Sequence, residues 1–237
     1  MARQNRQRAR APHQLPPGRH KLGRSFVEAN QRERILEAVA DVATLAGYPA
    51  MSVEDIVSVA GVSRRTFYDA FSSKEDAFLE ALDQAAHELV MRIKSACASA
   101  DTFPARVRDS LAAFLGFVAD EPRQAEMLLV EALAAGPAAI ERRSATLTTF
   151  AQMLREAAAH TTDGRRPPDL IAETIVGGIY EIVYSRLLAG DLEGLVAVLP
   201  DLAYSVMQPY IGEAAARKEA AKPPTMAPAP GAAAASA

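Results

Sequence analysis

The sequence contains few of the residue patterns on which enzymes and secreted proteins depend. One cysteine, Cys97, occurs among 237 residues, which excludes an intrachain disulfide framework and fits a reducing compartment. The four histidines lie apart, and none has a second ligand at metal-binding spacing, so we expect no metal site. Neither a phosphate-binding glycine loop nor a nucleophile elbow is found. We therefore expect no enzymatic activity and no cofactor.

Long apolar runs are also lacking. No stretch approaches the roughly 20 uninterrupted apolar residues that a membrane-spanning helix needs. The N-terminus is basic, but neither an apolar segment nor a small-residue cleavage site follows it, so a secretory signal is not expected. Apolar residues nevertheless make up 49% of the sequence, which is enough for a buried core. These features indicate a cytoplasmic protein with no membrane partner.

Charge is distributed unevenly along the chain. The net charge is −3, but residues 1–34 carry nine Lys and Arg against Glu28 and Glu33. This segment has a local charge of +7, so the remainder carries −10. A basic end on an acidic body is typical of a protein that binds a polyanion at one end. A solvated tail that merely happens to be basic explains the same charges, and charge alone does not decide between the two.

Periodicity predicts an all-α fold behind a flexible arm. Residues 1–27 contain several prolines and glycines and lack helical periodicity, so we predict a flexible basic arm there. From about Glu28 the apolar residues recur at helical spacing, and Gly and Pro stand where helices end and start. No segment shows strand alternation bounded by hairpin turns. The helical segments expected beyond residue 100 are 104–119, 122–134, 137–160, 169–190 and 192–212.

Two short helices joined by a tight turn are predicted near the N-terminus. Ser52 and Asp55 form a capping-box pattern that opens the first of them, and Gly61 ends it. Ser63 is a good N-cap for the second, on which Phe67 faces the core. Two such helices, the second polar on its outer side, are typical of a helix-turn-helix, whose second helix enters the major groove of DNA.

The outer side of this second helix carries side chains suited to contacts with DNA. At 100° per residue, Arg65 lies about 160° and Asp69 about 200° from Phe67, opposite the core. The flanking residues are Arg64, Thr66 and Tyr68. Arginine can bind guanine through two hydrogen bonds, and Thr and Tyr hydroxyls suit phosphate or base contacts.

A series of short sequence matches runs in order through residues 32–82. They are Ile35-Leu36-Glu37-Ala38, Gly47-Tyr48, Ser52-Val53-Glu54-Asp55-Ile56, Ala60-Gly61-Val62-Ser63, Thr66-Phe67-Tyr68 and Phe71-Ser72-Ser73-Lys74-Glu75. In these residues the sequence resembles the DNA-binding domain of the tetracycline-repressor-like (TetR) family of transcriptional regulators. The remainder of the chain is similar to the family only in its helical architecture.

The resemblance implies a set of DNA contacts. The residues that it assigns to DNA are Ser52, Ser63, Arg64, Arg65, Thr66, Tyr68 and Lys74. Tyr68 and Lys74 would touch phosphates, and Ser52 would cap the second helix near the DNA backbone. Arg65 stands where many family members have a small residue, so it adds a base contact unless Asp69 holds it in an intramolecular pair. The alternatives are a packing role for Tyr68 and a solvated charge at Arg65.

The resemblance also implies a C-terminal body that dimerises and binds an effector. The last two predicted helices, 169–190 and 192–212, would form a four-helix interface with their copies, and the alternative is that they complete a monomeric core. Gly177 and Gly178 cost about 1 kcal/mol each against alanine in mid-helix, which favours a close helix–helix approach there. A pocket for a small, largely apolar effector is expected among the middle helices. Its candidate lining residues, which plain core packing also explains, are Met127, Glu131, Phe150, Met153, Leu154 and Tyr180.

These predictions divide the chain into four parts. They are the arm at 1–27, a helix-turn-helix DNA-binding domain at 28–75, a helical effector-binding and dimerisation domain at 76–215, and a disordered Pro/Ala-rich tail at 216–237. The expected function is a ligand-responsive repressor that binds a palindromic double-stranded DNA operator as a homodimer and releases it on effector binding. The alternative is a helical small-molecule-binding protein with a vestigial DNA-binding head, and binding to the chain's own upstream DNA separates the two.

Overall fold

The computed structural model describes residues 24–159, 161 and 165–225, and within these ranges it contains helices and no strand. The α-helices are α1 Arg24–Ala46, α2 Val53–Ala60, α3 Arg64–Ala70, α4 Lys74–Cys97, α5 Phe103–Asp120, α6 Pro122–Leu129, α7 Pro137–Ala158, α8 Leu170–Leu188, α9 Leu192–Ala197, α10 Leu199–Ile211 and α11 Glu213–Ala220. A short 3-10 helix, Glu131–Leu133, lies between α6 and α7. The all-α prediction is confirmed. None of the described helices is long and apolar enough to cross a membrane.

The N-terminal three helices pack around one small apolar core. α1 contacts α2, α3 and the beginning of α4, and α2 contacts α3. Ile35 from α1, Ile56 from α2, Phe67 from α3 and Phe78 from α4 are completely buried between them. Helices α2 and α3 are too short to be stable alone, so this shared apolar contact and their caps hold them in place.

Helix α4 belongs to both halves of the molecule. Its beginning completes the core of α1–α3, and the rest packs along α5, α6 and α7. Ala77 and Phe78 are buried near its start, while Leu89 and Ile93 are buried further along. The predicted boundary between residues 75 and 76 therefore falls inside one continuous helix, and the two halves are joined without a linker.

Three predicted segments differ from the structure, one at its start and two by an interruption within the segment. The first helix begins at Arg24, so the last four residues of the predicted arm are helical, and residues 1–23 lie outside the described residues. The segment 122–134 is α6 followed by the 3-10 helix. The segment 192–212 is two helices, α9 and α10, that meet at Val198. Proline at position 200 suits the first turn of α10, where a missing N–H costs little.

The predicted tail also begins too early. Residues 213–220 form α11, which packs against α5 and α10 and buries Ala216 and Ala220. Arg108, 7% exposed, forms an ion pair of 3.1 Å with Glu219. The buried carboxylate of Asp109 accepts a hydrogen bond of 2.7 Å from the main-chain N–H of Thr225. The Pro/Ala-rich composition hides these contacts, which join residues more than one hundred positions apart. Residues 226–237 lie outside the described residues.

The contact between α5 and α11 predicts a pH-dependent contribution to stability. Hydrogen bonds from Lys222 and Arg108 lower the pKa of Glu219 below its ordinary 4.5. A group with a lowered folded-state pKa stabilises the fold fully above its unfolded pKa and loses that effect as the pH falls through the folded value. Glu219→Ala should therefore lower the free energy of unfolding by about 1–3 kcal/mol at pH 7, because it leaves Arg108 without its carboxylate.

Urea unfolding at pH 7 and at a series of values below 4.5 measures this difference, which should shrink with falling pH. Glu213→Ala is the matched control, because Glu213 pairs with Arg217 on the exposed side of the same helix. Its effect should stay within about 0.5 kcal/mol. Equal losses in the two variants would contradict a specific role for the Arg108–Glu219 pair.

Candidate nucleic-acid interface and ligand cavity

The two short helices are closed by the caps that the sequence predicts. The Ser52 hydroxyl accepts a hydrogen bond from the Asp55 N–H, and the Asp55 carboxylate accepts one from the Ser52 N–H, which completes a capping box. Gly61 ends α2 with φ +62°, a left-handed conformation that glycine adopts without steric cost. The Ser63 hydroxyl then caps α3 by accepting from the Thr66 N–H at 3.0 Å. Helices α2 and α3 thus form the predicted helix-turn-helix.

Helix α3 has one buried side and one exposed side. Phe67 is buried, its ring lies 5.7 Å from that of Phe71, and Phe71 is buried as well. The exposed residues on the helix are Arg64, Arg65, Tyr68 and Asp69, and Ser63 is exposed at its cap. Thr66 is half-buried, and its hydroxyl lies 2.8 Å from that of Ser63. The structure therefore brings five of the seven predicted DNA contacts, Ser63 to Thr66 and Tyr68, together at one end of the molecule.

The two arginines at the start of α3 have weakly held partners. Arg65 is 91% exposed, and its Nε lies 3.9 Å from Asp69, beyond hydrogen-bonding distance. Arg64 donates to Glu54 of α2 at 3.2 Å, and both side chains are mostly exposed. Exposed ion pairs of this kind contribute about 0.2–1 kcal/mol. Both guanidinium groups can exchange these partners for phosphate or base acceptors at little cost.

Lys74 differs from the other predicted contacts because it is already bound inside the domain. Its ammonium donates to the main-chain carbonyls of Tyr48, Pro49 and Met51 at 3.3, 3.4 and 2.8 Å. It also lies 4.9 Å from the centre of the Tyr48 ring. Three N–H donors are all that an ammonium has. The side chain therefore holds the loop between α1 and α2, a role that sequence reasoning missed because the partners are main-chain atoms over 20 residues away.

Two further arginines brace the same domain from α1. Arg32 forms an ion pair with Glu80, donates to the Ala70 carbonyl at 2.9 Å and stacks on the Phe71 ring. Arg34 donates to the carbonyls of Ala60 and Gly61, at the end of α2. These two cations belong to the basic segment 1–34, yet their contacts are internal. Seven of its nine cations lie at residues 3–24, of whose side chains the structure describes none.

The C-terminal body contains a partly open cavity of about 530 Å³, which lies within the range of small-molecule sites. Side chains of α4, α5, α7 and α8 form most of its wall, and the end of α6 and Val206 of α10 complete it. Most of these side chains are apolar. Its apolar residues from α7 and α8 include Leu147, Phe150, Met153, Leu154, Ile175 and Ile179.

Four of the six predicted effector contacts line this cavity, and two do not. Phe150, Met153, Leu154 and Tyr180 are in the wall. Met127 is buried elsewhere in the core, because it lies about 100° around α6 from Leu128, which does line the cavity. Glu131 accepts a hydrogen bond of 2.6 Å from the Tyr48 N–H. Its position at a turn gave no indication of this contact with the DNA-binding domain.

Tyr180 and Arg143 are in contact with each other among the polar groups of the cavity wall. Tyr180 donates its hydroxyl to the carbonyl of Leu129, the last residue of α6. The guanidinium of Arg143 stacks on the Tyr180 ring with its carbon 4.0 Å from the ring centre. Burial raises the pKa of Tyr180, and the neighbouring Arg143 opposes that rise only in part. The phenol therefore stays protonated and remains a hydrogen-bond donor at neutral pH.

Helix α6 and the 3-10 helix connect the cavity to the DNA-binding domain. Leu128 and Leu129 line the cavity, and Arg123 at the other end of α6 forms an ion pair with Asp41 of α1. Glu131, two residues beyond Leu129, binds the Tyr48 N–H. A displacement of α6 at the cavity would therefore act on α1 and on the loop that follows it.

Groups of His, Cys, Asp or Glu that could hold a metal ion are not found among the described residues. Cys97 lies in the cavity wall, where burial raises the pKa of its thiol. A thiol with a raised pKa is a poor nucleophile at neutral pH.

Sequence comparison links the N-terminal half to known regulators. Residues 35–81 match the family model for bacterial regulatory proteins of the tetR family. The HTH-type transcriptional activator FasR of Mycolicibacterium smegmatis is 29% identical over 103 residues, which are 44% of this chain and 47% of that protein. The chain therefore matches less than half of this curated relative.

Structural comparison extends the likeness to the body. The fatty acid degradation regulator FadR of Bacillus halodurans is 19% identical, with a TM-score of 0.68 over 79% of this chain and 96% of that one. FadR of Bacillus subtilis, solved in complex with stearoyl-CoA, is 17% identical, with a TM-score of 0.65 over 75% and 98%. At these identities the likeness is one of fold. The helix-turn-helix and the match of residues 35–81 identify the DNA-binding domain as one of the tetR family of bacterial regulatory proteins.

Proposed function

We propose that the chain is a cytoplasmic, ligand-responsive transcriptional repressor that binds a palindromic operator as a homodimer. The observation that carries this proposal is the exposed row Arg64, Arg65 and Tyr68 on a short helix anchored by Phe67. Such a helix, presented by a helix-turn-helix, fits the major groove with its N-terminal residues towards the base edges. The match to regulators of the tetR family supports the same conclusion.

The contacts would divide between bases and phosphates. Arg65 extends from α3 opposite Phe67, so in the groove it would face base edges and bind guanine. Tyr68 is exposed further along the helix and would bind a phosphate through its hydroxyl. Ser52 and Ser63 stand at the N-termini of α2 and α3, where free N–H groups also suit phosphate oxygens. Arg64 and Thr66 would complete the surface.

The effector would bind in the cavity of the body and be largely apolar, as its wall is. A regulator of similar fold was solved with stearoyl-CoA, which makes long-chain acyl compounds the first class to test. An effector alters DNA binding only if it binds one conformation more tightly than the other. Helix α6 contacts both the cavity and α1. A change of conformation at the cavity would therefore be passed through α6 and α1 to α3, the recognition helix.

The homodimer would form on the outer side of α8. Gly177 and Gly178 have no neighbouring atom within 4 Å of an added Cβ among the described residues. Ile182 and Leu188 on the same side are exposed, as is Val196 of α9. Small residues permit close approach of a second helix, and exposed apolar residues favour burial. Residues 192–212 would contribute less to the dimer interface than the sequence predicts, because Leu195, Leu202 and Val206 are buried within their own chain.

Selection from a randomised DNA pool tests the function and the role of Arg65 together. The full-length protein should select an inverted repeat, and Arg65→Ala should weaken binding to it by about 1–3 kcal/mol while relaxing preference at one or two base pairs. Asp69→Ala should tighten binding or leave it unchanged, because the pair of 3.9 Å competes with DNA.

Arg217→Ala, which removes an exposed arginine of α11, is the matched control and should leave affinity unchanged. If Arg65→Ala keeps the base preferences of the unmodified protein at every position, Arg65 does not read bases, and Arg64 and Thr66 become the candidates. Failure of the unmodified protein to select any sequence would favour the alternative of a ligand-binding protein with a vestigial head.

Lys74→Ala should act through the loop rather than through a phosphate. Because three carbonyls lose their donor, the free energy of unfolding should fall by about 1–3 kcal/mol. Binding to all sequences should weaken together, while the dependence of log affinity on log salt stays the same. A slope that falls by about 0.9 would instead reveal the phosphate contact that the family resemblance implies.

Gly178→Leu should separate folding from dimerisation. The chain has room for the side chain, so helical content measured by circular dichroism should be retained. A close partner helix would be displaced, weakening the dimer by about 1–3 kcal/mol. Sedimentation equilibrium measures the change, and Ala119→Leu, at an exposed position of α5, is the control. An unchanged dimer constant would place the interface elsewhere.

A further inference from the structure

Arg143 is one of three cations in the cavity wall, together with Lys94 and Arg106. Arg143 lines the cavity, and its Nε is buried with no hydrogen-bond partner. Other arginines of the same helix are paired, Arg142 with Asp83 at 3.0 Å and Arg155 with Glu173 at 3.5 Å. Within the described ranges, no carboxylate lies within ion-pair distance of Arg143. The guanidinium contacts the Tyr180 ring instead.

An anion would improve this arrangement. Arg143 is half-buried, so its charge keeps some contact with water, but its buried Nε has no hydrogen-bond partner. An unmet buried donor costs about 1–3 kcal/mol, and a stacked aromatic ring returns about 0.5–2 kcal/mol. The planar guanidinium offers paired N–H donors that match a carboxylate or a phosphate. The Tyr180 hydroxyl can accept from Arg143, but it has no second proton to donate to an acid, because it already donates to the Leu129 carbonyl.

Arg143 also lies at a defined end of the cavity. The neighbouring Arg142 pairs with Asp83, near the start of α4 and towards the DNA-binding domain. The exposed Lys94, a second cavity cation, lies 11 residues beyond Asp83 on α4, or about 16 Å along the helix. Leu147, Phe150 and Leu154 follow Arg143 along one side of α7. An apolar chain beside these residues would place an acidic end group on Arg143.

We propose that the effector is an amphipathic anion, an apolar chain with one acidic end group that Arg143 binds. The proposal rests on the proposed function and narrows its effector class. The acidic group is a carboxylate or a phosphate, which share the geometry that a guanidinium recognises. An acidic group bound to Arg143 would lie beside the Tyr180 ring, whose hydroxyl donates to the Leu129 carbonyl at the end of α6. Lys94 would lie away from the acidic group, and so would Arg106, whose carbonyl contacts the Cys97 thiol three residues beyond Lys94.

Isothermal titration of the full-length protein tests this assignment. The probes are dodecanoate, dodecyl phosphate, 1-dodecanol, which has the same chain without an acid, and dodecanoyl-CoA, whose phosphates lie far from the acyl end. Dodecanoate or dodecyl phosphate should bind about 10- to 100-fold more tightly than the alcohol, the value of one or two charge-assisted hydrogen bonds. The tighter of the two acids identifies the end group.

The variants locate the acid. Arg143→Gln should remove the advantage of the acid over the alcohol, and Arg143→Lys should restore part of it. Arg142→Gln, which loses an ion pair facing away from the cavity, and Lys94→Gln should both retain it. If Arg143→Gln binds the alcohol as the unmodified protein does, its cavity remains intact. If that variant does not fold, the ratio of acid affinity to alcohol affinity is compared in Arg143→Lys and Lys94→Gln. A lower ratio in Arg143→Lys alone then supports the proposal.

Equal binding of the acids and the alcohol would overturn the proposal. So would a result in which the acids lose their higher affinity over the alcohol in Lys94→Gln but keep it in Arg143→Gln. Dodecanoyl-CoA binding more tightly than both acids would also overturn it, because the acids of that compound lie too far from the acyl end to reach Arg143. Binding of none of the probes would overturn it as well. Selection of DNA without any ligand is measured separately, so these outcomes leave the proposed DNA-binding function standing.

Discussion

The loop between α1 and α2 is held by two opposite charges from different parts of the chain. Lys74 at the start of α4 binds three of its carbonyls, and Glu131 from the 3-10 helix binds its Tyr48 N–H. The carbonyls of the loop thus accept hydrogen bonds from a cation, and its Tyr48 N–H donates to a carboxylate. Main-chain polar groups that are withdrawn from water need such partners. Since α2 and α3 follow this loop directly, both contacts determine where the recognition helix stands relative to the body.

The helix-turn-helix was predictable because its signals are local. Ser52 with Asp55, Gly61, and Ser63 with Thr66 act within three or four residues, and the structure shows each contact or conformation expected of them. The internal contacts of Lys74 and Glu131 escaped sequence analysis for the opposite reason. Their contacts join residues 23 to 83 positions apart, and no local pattern encodes such pairs.

The cavity was predictable in part. Phe150, Met153 and Leu154 share one side of α7, so helical spacing correctly grouped them, whereas the adjacent α6 was assigned the wrong side. Arg143 lies seven residues before Phe150 on the lined side, and its spacing could have revealed it. Its charge argued against a place in an apolar wall, and the missing counter-ion is visible only once all neighbours are in position.

Helix α4 is long enough that a small tilt at one end would displace the other end by several ångström. Its 24 residues extend about 36 Å, with the cavity beside its second half and the recognition helix immediately before its first residue. A tilt of one degree about the cavity end would carry the other end by about 0.6 Å over that length. In a symmetric pair both reading heads would move, so ten degrees would change their separation by up to about 12 Å, one third of the 34–36 Å repeat of DNA. If the chain is the proposed dimer, a ligand that tilted α4 by a few degrees would therefore move the heads out of register with adjacent major grooves.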